Sequence, residues 1–158
     1  MTAFAAGIDP GPSTGLALLD LTGSGEVRAF QCDAATAPWL LQAILADLES
    51  LGYAGQVRGG IEGFAPGRGA GAARHGAAVS RQVQELAGIC AEFGVPLTAR
   101  YASQVKLWAT DKRLRAAGLY ELVPGSTHAR DALRHALFTA CNECGWPDPL
   151  SRKAAAPG

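Results

Sequence analysis

Apolar residues along the chain come first in short runs and later at helical spacing. Phe4-Ala5-Ala6-Gly7-Ile8 is a continuous apolar run, the pattern of a strand buried on both faces. It stops at Asp9-Pro10-Gly11-Pro12, a turn that neither helix nor sheet continues. Gly15 to Leu21 predicts a second strand and Glu26 to Cys32 a third, alternating one, with Gly23-Ser24-Gly25 as the tight hairpin between them. Pro38 starts a helix whose Leu41, Ile44, Leu45, Leu48 and Leu51 fall on one face. Gln56 to Glu62 reads as a fourth strand, followed by a glycine-rich loop from Gly63 to Gly71. A long helix is predicted from Arg74 to Phe93, with Gly94 as its natural C-cap. Val95 to Tyr101 is a fifth strand whose proline lies near its start, where it is tolerated. Two helical segments follow, Ser103 to Ala109 and Asp111 to Leu119, and then a loop at Val123-Pro124-Gly125-Ser126. A last helix runs from Thr127 to Glu143, capped by Ser126 or Thr127. Hairpins followed by alternating helices and strands imply an α/β fold, a five-stranded mixed sheet with helices on both faces. Residues 1–150 make one domain, and 151–158, small and polar, are expected to form a disordered tail.

Asp9 ends the first strand, where an α/β sheet places its functional groups. The plainer role for it is to cap the turn. Glu62 ends the fourth strand, and in this topology strands one and four are neighbours. Two carboxylates side by side repel each other, and a bound cation relieves that cost most simply. His128 and Asp131 are three residues apart and share a face of the last helix. The opposite side, Ala132, Leu133, Ala136, Leu137 and Ala140, is apolar and small, suited to lying tightly on the sheet. His75 and His135 lack such partners and read as surface residues. Asp9, Glu62, His128 and Asp131 together offer hard oxygens and an imidazole, a set for Mg²⁺ or Mn²⁺ and not for a closed zinc site. Two such ions about 3.5–4 Å apart serve phosphodiester cleavage. Arg100, Lys106, Lys112, Arg113 and Arg115 surround this set, opposed only by Asp111. Lys106, just past the fifth strand, is placed to reach a scissile phosphate, whereas exposed basic residues on helices are more often simply solvated.

Composition narrows the picture further. The 158 residues suffice for one domain with a true core, and 48% hydrophobic with 18% charged residues fits a folded protein. No apolar run reaches the roughly 20 residues that span a bilayer. The start Met1-Thr2-Ala3-Phe4 carries no basic leader, so a cytoplasmic location is expected, in a bacterial host if the protein is phage-encoded. Net charge is zero but polarised: residues 1–57 hold one basic and six acidic side chains, and 58–158 hold thirteen basic and eight acidic ones. Such a chain binds phosphate on one side without a basic pI. Cys141 and Cys144 have zinc-ligand spacing without a second pair to complete a site, and Cys32 and Cys90 fall at element ends.

Four segments in order resemble those of RuvC Holliday junction resolvases. Gly7-Ile8-Asp9-Pro10-Gly11 is similar to the family's opening motif and Ile61-Glu62 to its second acidic strand end. Tyr101-Ala102-Ser103-Gln104-Val105-Lys106 resembles its Ser/Gln-Val-Lys segment, and His128-Ala129-Arg130-Asp131-Ala132-Leu133 its last motif. The compact size and the segment from Ala109 to Leu114 suggest a bacteriophage-type member. The resemblance implies an RNase H-like fold and a homodimeric, Mg²⁺-dependent endonuclease that cuts branched DNA, with Mn²⁺ as a substitute and no small-molecule cofactor. Asp9, Glu62, His128 and Asp131 would hold the metal, and Lys106 would act with them on the phosphate. Phe64, Arg68, Arg74, Lys106, Lys112, Arg113 and Arg115 would contact DNA. Two departures stand out: Lys112 is the nearest candidate for the family's second lysine, and Phe64 stands near, but out of register with, its base-wedging aromatic.

Two other classes compete. An actin-like ATPase or phosphotransferase shares an Asp-x-Gly start, but it needs a second phosphate loop and an adenosine motif in a longer chain. A catalytically silent branched-DNA-binding module would keep the fold, yet would have no need of the full set of site residues.

Overall fold

The computed structural model describes residues 1–63 and 70–151. Five strands, β1 (Phe4–Asp9), β2 (Ser13–Asp20), β3 (Val27–Asp33), β4 (Val57–Glu62) and β5 (Leu97–Arg100), form one sheet in the order β3-β2-β1-β4-β5. β1, β2 and β3 pair antiparallel, and β4 and β5 add in parallel. The helices are α1 (Ala37–Ser50), α2 (Ala70–Glu92), α3 (Ala102–Trp108), α4 (Asp111–Ala116) and α5 (Thr127–Glu143). No helix among the described residues is long and apolar enough to cross a membrane.

The sheet separates two apolar layers, as the α/β pattern requires. On one face Ala6, Ile8, Leu16 and Ile61 pack with Leu41, Leu45 and Leu48 of α1 and Leu86 and Cys90 of α2. On the other, Ala5, Ala17 and Leu19 pack with α5 through Ala129, Ala132, Leu133, Ala136 and Ala140. α5 lies directly on the sheet backbone. A Cβ at Gly7 would collide with the Ala132 carbonyl, one at Gly15 with the His128 carbonyl, and one at Gly60 with Thr139 and Arg100. Glycine on the sheet and alanine on the helix are therefore one device, and it sets the depth at which α5 delivers its side chains.

Several sequence expectations need correction. α2 starts at Ala70, ahead of the expected Arg74, and Arg74 is exposed on it. Leu51 does not join the inward face of α1: it is the C-cap and is 64% exposed. His135 is not a surface residue but is buried at 1% exposure. Arg100 is also buried, paired with Glu143 and donating to Thr139 Oγ1 at 3.1 Å, so it ties β5 to α5 and is not free to contact a ligand. Phe64, Arg68 and the tail from 152 onward lie outside the described residues.

Candidate active site

The ends of β1 and β4 are adjacent. The parallel ladder runs to the pair Ile8–Ile61, one residue short of Asp9 and Glu62. Side chains alternate along a strand. Because Gly7 and Gly60 face α5, Asp9 and Glu62 project to that same face, at the rim where α5 begins. The turn after Asp9 is fixed from the other side: Thr14 Oγ1 donates to Gly11 O at 2.8 Å, and Gln82 Nε2 of α2 donates to Thr14 Oγ1 at 2.6 Å. Both polar residues are buried, so this bond is an anchor and not a surface contact.

α5 enters the rim under tight control. Ser126 caps it by accepting from Ala129 N, and its hydroxyl donates to Gln31 Oε1 of β3 at 2.7 Å. The first turn then presents His128, whose Nδ1 hydrogen-bonds Asp9 Oδ2 at 2.8 Å. Asp131, one turn on, is buried. Lys106 of α3 donates to its Oδ2 at 2.8 Å, and Arg134 pairs with its Oδ1. Arg134 also pairs with Asp111 and donates to the Ala109 carbonyl at 2.8 Å, locking α4 to α5. His135 places Nε2 3.6 Å from Glu62 Oε2.

The structure therefore brings Asp9, Glu62, His128, Asp131 and Lys106 to one rim, as the sequence predicts. Burial, and then the charges of Glu62 and Asp131, push the Asp9 carboxyl up to about 6 against the hydrogen bond from His128. Burial works to lower the Lys106 ammonium, but Asp131 and then the charges of Glu62 and Asp9 raise it overall. Five charged or titratable groups thus sense one another across a small space.

These side chains are nevertheless not closed into a cage. Among the described residues no three His, Cys, Asp or Glu side chains are grouped to hold a metal ion. The physical reason is visible at Asp131, whose two oxygens are engaged by Lys106 and Arg134, and at Asp9, which is turned to His128. The donor chemistry of Asp9 and Glu62 still fits a hard divalent cation. The Asp9 carboxyl is pushed up to about 6 by burial and by the charge of Glu62 beside it. A cation shared by the two carboxylates would relieve that repulsion.

Of the other basic candidates, Arg113 is half-buried, stacked over Trp108 and paired with Asp148 at 3.0 Å. Lys112 and Arg115 are exposed. Gln82 and Arg134 are not singled out by the sequence, and His135 reads there as a surface residue. The last two stand three and four residues after Asp131, on its side of the helix, and a helical wheel drawn from Asp131 finds them. The four cysteines are free thiols, and burial pushes Cys141 up to about 12, far from a reactive range.

No protein-family model matches the chain, and no curated protein matches it. Among solved structures, Thermus thermophilus RuvC in complex with a Holliday junction substrate matches with a TM-score of 0.61 and 23% identity, over 89% of this chain and 96% of that one. The Thermus thermophilus RuvC structure matches with the same score and identity, over 90% and 97%. The chain thus has the RuvC variant of the RNase H-like fold over nearly its whole length.

Proposed function

We propose that this protein is a divalent-metal-dependent endonuclease acting on branched DNA. The observation that carries the reading is the convergence of Asp9, Glu62, His128, Asp131 and Lys106 at one sheet rim in a chain with the RuvC fold, whose solved neighbour holds a Holliday junction. Asp9 and Glu62 would hold the cation, with His128 and Asp131 completing the set beside it. Bound there, Mg²⁺ or Mn²⁺ supplies charge neutralisation and water activation for phosphodiester hydrolysis, leaving 5′-phosphate and 3′-hydroxyl ends.

The chain's own groups do the rest. Lys106, half-exposed and kept charged, exchanges Asp131 for an incoming phosphate oxygen and neutralises charge that grows in the transition state. Arg134 holds Asp131 from beneath, so the carboxylate stays in place when Lys106 leaves it. His128 orients Asp9 through Nδ1, and its ring is 41% exposed at the open side of the rim. The same reading carries a homodimer, because a four-way junction presents two symmetry-related strands.

Asp9→Asn preserves shape and the contact to His128 but removes the charge. It is expected to abolish cutting of a labelled junction while leaving junction binding within about threefold; equal cutting by the variant rules out the metal role. Lys106→Ala is expected to slow single-turnover cutting by about 10²-fold with an unchanged melting midpoint, and an unchanged rate removes Lys106 from the site. One observation favours a second reading. Both Asp131 oxygens are engaged by cations, as suits a module that binds branched DNA without cutting it, and wild-type protein that binds junctions but leaves them whole in Mg²⁺ would establish it.

A further inference from the structure

The buried pair beneath the rim is unexplained by the candidate metal-site residues themselves. His135 is 1% exposed, its Nδ1 has no hydrogen-bond partner, and its Nε2 lies 3.6 Å from Glu62 Oε2. That oxygen is also buried and has no partner of its own, although the Glu62 side chain as a whole is 25% exposed. A separation of 3.6 Å is a few tenths beyond a hydrogen bond. Leaving Oε2 buried and unpaired costs more than closing so small a gap to Nε2. His135 is also carried on the part of α5 that Gly7 and Gly60 admit onto the sheet: the Gly60 position faces its carbonyl, and the Ala136 amide that follows lies over Gly7. The main chain that carries the ring is therefore fixed against the sheet, and the ring itself is buried.

We propose that His135 is a positioning residue for Glu62: a proton on Nε2 is donated to Oε2, which fixes the carboxylate at the end of β4 and leaves its other oxygen for the rim. This rests on the reading of Glu62 as a metal-site residue. It assigns no proton transfer to His135, which touches neither substrate nor cation. Its work is to remove the rotational freedom of a glutamate standing at the start of a loop. Imidazoles and carboxylates that orient metal ligands are commonly worth 10–100-fold in metal affinity.

Two measurements test it. The first needs no metal: long-range ¹H–¹⁵N spectra of the imidazoles in EDTA report which ring nitrogen of His135 carries hydrogen. A protonated Nε2 that changes in Glu62→Gln is expected, and a bare Nε2 in the wild type overturns the proposal. The second is Mn²⁺ binding without DNA, read from the spin-resonance signal of free Mn²⁺. His135→Leu is expected to weaken binding about 10-fold and His135→Gln, which keeps a donor on a side chain of similar reach, to recover most of it. Wild-type affinity in folded His135→Leu overturns the proposal; should that variant not fold, failure of His135→Gln to hold Mn²⁺ within about threefold of wild type does so. A wild type that binds no Mn²⁺ sinks the nuclease reading instead, and the ring-nitrogen spectrum then decides His135 alone.

Discussion

Asp9 carries an electrostatic strain at the rim. Its carboxyl is raised from 3.8 to about 6, chiefly by burial and then by Glu62. A raised acid binds its proton more tightly folded than unfolded, so the ionised form costs stability. That cost is absent below about pH 4, grows as pH rises, and is fully present above about pH 6. At about 1.4 kcal/mol per pKa unit it is on the order of 2–3 kcal/mol at neutral pH. Asp9→Asn is therefore expected to raise the melting midpoint by about 5 °C at pH 7.5 in EDTA and to change it little at pH 4. A midpoint that falls at pH 7.5 shows that the His128 contact outweighs the strain. At this scale the sequence was informative where chemistry shows in the residue type, as at Asp9, Glu62, His128 and Asp131. It misled at His135, because a histidine among small apolar residues reads as surface until the helix is seen pressed onto glycines. Gln82 carried no local signal at all, since its partner Thr14 lies 68 residues away.

Among elements, α5 and the glycines beneath it decide the geometry. The alanine stripe was legible, and the bounds of this helix follow directly from its cap and its periodicity. That Gly7, Gly15 and Gly60 are its counterpart was not, because the pairing joins distant segments. A Cβ at Gly7 meets backbone atoms of Ala132 and Ala136, which cannot move aside singly. Gly7→Ala is expected to cost about 3 kcal/mol, seen as a fall of about 10 °C in the melting midpoint. Gly88, inside α2 with open space at its Cβ position, is the contrast: Gly88→Ala is expected to raise the midpoint by about 2 °C. Equal effects at the two positions would show that α5 does not lie on the sheet. The start of α2 was misplaced because a stretch rich in glycine and alanine has no polar–apolar period to mark its first turn. Leu51 was miscounted because one face of a helix ends where its C-cap ends.

Over the whole molecule, charge is polarised along the chain, and the structure gives part of that polarity a surface. Arg115 and Arg130 both stack on Tyr120, at 3.8 and 3.9 Å from the ring centre. Among the described residues neither has a carboxylate partner. Arg130 lies in the first turns of α5, the helix that carries His128 and Asp131, but on a different face from them. If the rim receives DNA, the double variant Arg115→Ala with Arg130→Ala is expected to lower the slope of log K against log salt by about 2 while sparing single-turnover cutting at saturation. An unchanged slope places the DNA elsewhere. Fold class and the adjacency of strands one and four followed from the apolar pattern and element order, because a mixed sheet of this size admits few windings. The ion pairs that engage Asp131 did not, since they depend on three helices meeting. Uptake of a divalent cation at this rim is what cutting would require, and a Mn²⁺-soaked crystal measured at the manganese edge tests it directly. An anomalous peak about 2.2 Å from carboxylate oxygens of both Asp9 and Glu62 is expected. A crystal at near-saturating Mn²⁺ with no peak at that rim contradicts it.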